Sequence, residues 1–209
     1  MSEVDPILAR EFRKLRWHRP RQVLINLRII EARLPPTGID DRVRRLRTNN
    51  LKEWREGIDA ALFAYGLEAQ VMTVPVYIAK TEAMDFDFVS TWFKDGTQHF
   101  CPVQIKELPP EDLNAVVTIN DIYSKLDRYS GPDNLTVVIR LSRTGRFTFE
   151  PWPEQRRPNI SGLWLFGCCS PDKSRWFLRG DILHQTEAHY EFDYPTGDWA
   201  PSEVKFQFE

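Results

Sequence analysis

The chain has 209 residues, 42% of them hydrophobic and 12% aromatic, with a formal net charge of −2. That is the composition of a globular protein with a sizeable core, not of a disordered segment, and no apolar run approaches the roughly 18 residues of a membrane helix. Cys101, Cys168 and Cys169 are an odd set without CxxC spacing, which predicts reduced structural thiols and no zinc site.

The amino terminus MSEVDPILAREFRK lacks a basic-then-apolar leader pattern, so the expectation is a cytoplasmic protein with no membrane partner. The charge is uneven: residues 1–50 carry 12 Lys/Arg against 6 Asp/Glu, which leaves the rest of the chain acidic. Arg10, Arg13, Lys14, Arg16, Arg42, Arg44, Arg45 and Arg47 are therefore candidate contacts to a polyanion. A solvated helix face that balances an acidic body accounts for them equally well.

Residues 6–34 read as two helical pieces broken near Pro20. In the second, Val23, Leu24, Leu27, Ile30 and Leu34 recur at helical spacing. The run Pro35-Pro36-Thr37-Gly38 stops that helix, so residues 1–38 are taken as a basic helical arm and 39–209 as an α/β domain. A further helix is predicted over residues 49–65, with Leu51, Trp54, Ile58, Ala61, Leu62 and Tyr65 on one face. Asn49 or Asn50 would cap it and Gly66 would end it.

The period then changes to that of strands, over residues 70–78, 85–92 and 100–107, with Lys94-Asp95-Gly96-Thr97 turning the second into the third. Pro75 and Pro102 suggest strand ends or edges. A helix over 118–129 presents Ile119, Ile122, Leu126 and Tyr129 inward. Leu135-Thr136-Val137-Val138-Ile139, within 134–141, reads as a strand buried on both faces. Shorter strand pairs are expected around 142–145 and 170–173, and residues 181–209 show no regular pattern. The order predicts an α/β layered domain with a mixed sheet.

Strand alternation puts Asp85 and Asp87 on one side of their strand, and Gln104 and Lys106 on one side of theirs. Phe86, Phe88, Val103 and Ile105 then face the core, and Glu107 lies opposite Lys106. Carboxylates and an amide oxygen suit a hard divalent cation, and a lysine beside it can position water or stabilise charge on a phosphate.

Asp87 followed by apolar residues, a turn and Val103-Gln104-Ile105-Lys106 resembles the signature of the PD-(D/E)XK, or restriction-endonuclease-like, nuclease superfamily. The element order over 49–141 is similar to that superfamily's core. The resemblance implies a mixed sheet flanked by helices, carrying a helical N-terminal arm and extra β-structure over 142–209. It implies a hydrolase of phosphodiester bonds in which Asp87, Asp85 and Gln104 hold Mg²⁺ or Mn²⁺ and Lys106 orients the attacking water. A glutamate of the preceding helix, Glu53 or Glu56, would complete the site. DNA as substrate and a homodimer as the working unit follow only by analogy.

Gln104 stands where Asp or Glu is usual. It is similar to what modification-dependent restriction enzymes of the superfamily carry, but a neutral amide binds a cation more weakly. Because the superfamily includes members that kept the scaffold and lost the chemistry, a catalytically inactive nucleic-acid-binding or assembly module is the second expectation. The remaining signals are weak. His18, His99, His184 and His189 have no paired-ligand spacing, and GxxxxGK[ST], GxGxxG and GxSxG are absent. Trp17, Trp54, Trp92 and Trp176 have the shape to stack on bases but are expected mostly in the core.

Overall fold

The computed structural model describes residues 5–35, 37–81, 86–126, 134–143, 145, 158–184 and 188–206. In chain order they form α1 (Pro6–Arg13), β1 (Trp17–His18), α2 (Pro20–Arg33), α3 (Asp41–Arg44), α4 (Lys52–Gln70), β2 (Val76–Lys80), β3 (Phe88–Lys94) and β4 (Thr97–Leu108). There follow α5 (Ile119–Tyr123), β5 (Thr136–Leu141), β6 (Gly162–Cys168), β7 (Arg175–Gly180), β8 (Ala188–Asp193) and β9 (Glu203–Val204).

The strands make one mixed sheet in the order β8-β7-β6-β5-β4-β3-β2-β1-β9. β4, β5 and β6 run parallel, and every other neighbouring pair is antiparallel. The sequence dictates the centre of this sheet. β5 alternates Val137 and Ile139 into one core and Val138 into the other, so both of its faces are covered. The hairpin from β3 to β4 turns at Asp95 and Gly96, whose φ angles of 51° and 75° are those of a two-residue turn that matches strand twist.

Helices cover both faces. α2 and α4 lie on one, with Leu24, Leu62 and Phe63 against Ile78, Phe88 and Val138. α1 and α5 lie on the other, with Phe12 and Ile122 against Val89 and Val137. A helix as short as α1 has little stability alone. Asp5 caps it, its carboxylate accepting from the Ile7 N–H at 2.7 Å, and the fully buried Phe12 anchors it by about 1.5–3 kcal/mol. The basic segment expected as an arm is thus woven into the layers, and β1 pairs with both β2 and β9.

Several boundaries differ from the sequence reading. α4 runs through Gly66 to Gln70, and the strand expected from residue 70 begins at Val76. A Cβ on Gly66 would stand 2.6 Å from Cε1 of Phe192, so this glycine permits a close approach and does not stop the helix. Asn49 and Asn50 form a 3₁₀ turn leading straight into α4, and no side chain caps it. Pro102 lies inside β4, in the stretch before β5 joins at Val103, where that side of the strand is still an edge. Ile30 and Leu34, expected on an apolar stripe, are 42% and 43% exposed.

The predicted alternation of Phe86 with Phe88 also fails. Phe86 packs in the α1/α5 core and Phe88 in the α4 core, because regular β3 pairing begins only at Phe88. α5 is held by a capping box between Thr118 and Asp121, and Leu126 beyond it is buried. Tyr129 lies outside the described residues. So does most of the strand pair expected near 142–145, since Thr144 and 146–157 are not described. The pair around 170–173 is the β6–β7 hairpin, and residues 181–209 contribute β8 and β9. No helix among the described residues is long and apolar enough to cross a membrane.

Candidate active site

The first turns of α4 carry Glu53, Glu56, Gly57 and Ala60 at spacings of three and four, hence along one side of the helix. That side faces the end of β2 and the start of β3. All four residues line a cleft of about 430 Å³, together with Asp87 and Lys80. Glu53 pairs with Lys80 at 2.9 Å and Glu56 with Lys52 at 3.3 Å. These are solvated contacts of modest strength.

Asp87 sits immediately before β3. Its N–H donates to the Val103 carbonyl at 3.0 Å, and its Oδ2 accepts from the Ile105 N–H at 2.6 Å. The same oxygen accepts from Nε2 of Gln104, whose amide nitrogen also donates to the Ile105 carbonyl at 3.2 Å. Burial pushes the Asp87 carboxyl above its ordinary range. The Ile105 N–H opposes this, the charge of Glu56 adds to it, and Lys106 and Lys52 pull it back down. A carboxylate that is costly to ionise, beside a second carboxylate, is a place where a cation is favoured.

The structure therefore brings together Asp87 and Gln104 by direct contact, and Asp87, Glu53 and Glu56 along one cleft. Gln104 and Lys106 are half-buried and outside the cleft lining. Gln104 presents its NH₂ to Asp87, so offering the amide oxygen to a shared cation requires a half-turn of the amide. Asp85 lies outside the described residues. Among the described residues no group of three or more His, Cys, Asp or Glu is placed to hold a metal ion.

The basic candidates divide into two groups. Arg10, Arg13, Lys14 and Arg16, on and just after α1, are exposed, with Lys14 paired to Glu11 at 2.6 Å. In the second group Arg42 is exposed and Arg44 donates to the Pro35 carbonyl at 3.0 Å. Arg45 pairs with Asp112 at 2.7 Å, and Arg47 binds Glu107 through both terminal nitrogens at 2.7 and 2.6 Å. Glu107, opposite Lys106 as alternation requires, is thereby occupied and is no spare cation ligand.

Three features escaped the sequence reading. Asp59 of α4 is buried against Arg140 of β5 as an ion pair. The signal was present: a lone acid within Ile58-Asp59-Ala60-Ala61-Leu62 and a lone cation within Val138-Ile139-Arg140-Leu141. Trp54, expected on the apolar helix face, is 61% exposed at the cleft, while Trp17, Trp92 and Trp176 are buried. His18, whose Nδ1 lies 3.1 Å from Oγ of Ser202, lines the same cleft. No sequence spacing links His18 and Ser202, which the short β1–β9 ladder brings together.

Compared with protein-family models, curated proteins and solved structures, the chain finds no match in any of the three.

Proposed function

We propose that the protein is a metal-dependent phosphodiester hydrolase acting on nucleic acid, built on a restriction-endonuclease-like, PD-(D/E)XK-type core. The observation that carries this reading is the convergence on Asp87: Gln104 of the hairpin partner bonds to it, and Glu53 and Glu56 share its cleft. The order helix, three antiparallel strands, helix, and a strand parallel to the third supports it.

The donor set suits Mg²⁺ or Mn²⁺, since Asp87, the Gln104 amide and an α4 glutamate are all oxygen ligands. The raised Asp87 carboxyl, crowded by Glu56, gives a cation something to relieve. When bound, such an ion supplies a Lewis acid for phosphoryl oxygen and a more acidic water. Asp87 and Glu53 or Glu56 would hold it. The positive charge of Lys106, which acts on Asp87, would orient water and stabilise charge on phosphate. Arg10, Arg13, Lys14 and Arg16 would hold backbone phosphates, which fixes register and reads no sequence.

The test is Mg²⁺- or Mn²⁺-dependent cleavage of labelled DNA and RNA by the wild type, Asp87→Ala and Lys106→Ala. Loss of cleavage in both variants is expected, and undiminished activity in both sinks the assignment. One observation favours a second reading, a catalytically inactive nucleic-acid-binding module. The NH₂ of Gln104, a neutral donor and not an acidic ligand, faces Asp87. That reading predicts salt-sensitive DNA binding with no metal dependence.

A further inference from the structure

We infer that the cleft beside Asp87 is a pocket for a single unstacked nucleotide, with the base seated on Trp54 and the phosphate at the carboxylate end. The inference rests on the nucleic-acid reading above and narrows its substrate to a strand whose base has left the duplex stack.

Trp54 carries the first part. Trp54 is 61% exposed with no ring partner among the described residues; Trp199 is similarly exposed at 57%, but of the two it is Trp54 that lines the cleft. It lines the cleft together with Leu27 of α2 and Ile58, which give the pocket apolar surface. Every base presents a π-face, so such a surface binds bases with little sequence preference.

Gly57 is a second and independent observation. It lies in the interior of α4, where glycine weakens a helix. No turn or close contact requires it: a Cβ added there meets nothing within 4 Å. Gly57 lines the cleft together with Trp54 and Asp87, so the open space at its Cα adjoins that cleft. A missing side chain that stabilises nothing within the chain leaves room for something outside it.

Size and polarity select the occupant. About 430 Å³ is in the range of small-molecule sites, roughly 300–1,000 Å³, and far too small for a duplex. A base reaches such a pocket only from single-stranded or extruded nucleic acid. His18 and Ser202, also in the lining, offer hydrogen-bonding groups to a base edge. Burial holds the His18 ring below its ordinary pKa, and with Nδ1 engaged by Ser202 it is Nε2 that is left to a base edge. Lys80, also in the lining, pairs with the exposed Glu53 at 2.9 Å, a weak solvated contact that a phosphate can displace.

The experiment is fluorescence anisotropy of a labelled oligothymidylate and of an abasic strand of equal length, with Ca²⁺ as the divalent ion, using the full chain. The wild type should prefer the oligothymidylate. Trp54→Ala should weaken that binding roughly 5- to 150-fold, as for loss of one base–aromatic stack, and leave the abasic strand unchanged. Trp54→Phe should retain most of the preference. Gly57→Leu, a good helix former that fills the cleft, should lose it while melting no lower than wild type. Equal wild-type affinity for the two strands, or an unaltered preference in Trp54→Ala, overturns the pocket. Cleavage that needs Asp87 yet ignores Trp54 overturns the pocket and leaves the hydrolase standing. Base-dependent binding without cleavage supports the pocket and removes the hydrolase.

Discussion

Arg47 and Glu107 meet through two parallel hydrogen bonds, Nη1 to Oε2 at 2.7 Å and Nη2 to Oε1 at 2.6 Å, which tie the loop before α4 to β4. Ser142 donates a third bond to the same carboxylate at 2.6 Å. The two side chains are only 13% and 17% exposed, so this is a buried, fork-shaped pair and not a surface ion pair. Removing one partner leaves a buried charge. Arg47→Ala is expected to destabilise by about 3–5 kcal/mol in denaturant titration, and a loss below 1 kcal/mol (roughly that of a surface pair) would contradict this account.

The same carboxylate sets an acid limit to stability. Burial pushes Glu107 up, but hydrogen bonds from Arg47 and Ser142 and the charges of Arg140 and Arg47 together outweigh it, bringing the group from 4.5 to about 2. A folded-state value below the unfolded one gives stability that is present above the unfolded value and lost as pH falls through the folded one. Between pH 4.5 and about 2 the wild type should therefore lose about 3 kcal/mol from this group. Unfolding free energies of Glu107→Gln across that window should lack the slope. An unchanged slope would place the acid sensitivity elsewhere.

Asp87 has the opposite sign. Its carboxyl is raised, chiefly by burial, so ionising it costs the folded state stability at neutral pH. The cost is absent below the ordinary value of 3.8, where both states are protonated. Asp87→Asn keeps an acceptor for the Ile105 N–H and for Gln104. It should melt above wild type at pH 7, with the difference vanishing as pH falls towards 4, while cleavage disappears. A variant that melts lower at pH 7 would show that the ionised carboxylate stabilises the fold.

Two glycines of α4 should respond in opposite directions. Gly57→Ala puts a Cβ into open space and should stabilise by about 0.5–1 kcal/mol through helix propensity. Gly66→Ala drives its Cβ to 2.6 Å from the Phe192 ring and should destabilise by about 1–3 kcal/mol through overpacking. Phe192→Leu combined with Gly66→Ala should recover part of that loss, because the pair share one contact. Thermal melts of these variants and of Phe192→Leu alone decide it, and additive losses in the double variant would dismiss the contact as the cause.

The contrast also shows where sequence reasoning stops. Gly66 has the look of a helix stop from local rules, but its reason is tertiary, a ring from β8 that no local pattern announces. The β3–β4 hairpin was legible because Asp95-Gly96 is local turn chemistry, and β5 because an apolar β-branched run has one good place in a layered fold. Asp87 and Gln104 were legible as a pair, since the hairpin register forces them together. The direction of the Gln104 amide, the exposure of Trp54 and the arrival of His18 were not, since each depends on packing between distant segments.

Gln104 is where the enzymatic and the purely binding readings diverge most sharply. Its NH₂ donates to Asp87, the same oxygen that accepts from the Ile105 N–H. Gln104→Glu replaces the donor with a second carboxylate, so two like charges face each other and the apo protein should melt lower at pH 7. If the pair is a cation site, Mg²⁺ or Mn²⁺ binds the variant more tightly than the wild type. The melting point then rises with metal concentration, following the mass-action stabilisation RT ln(1 + [M]/Kd), about 2.7 kcal/mol at a hundredfold excess over Kd. Isothermal titration of the same proteins gives Kd directly. Metal-dependent recovery in Gln104→Glu that is abolished in the double variant with Asp87→Ala identifies the two residues as joint ligands. A variant that melts low at every metal concentration marks the contact as a structural hydrogen bond and favours the inactive binding module.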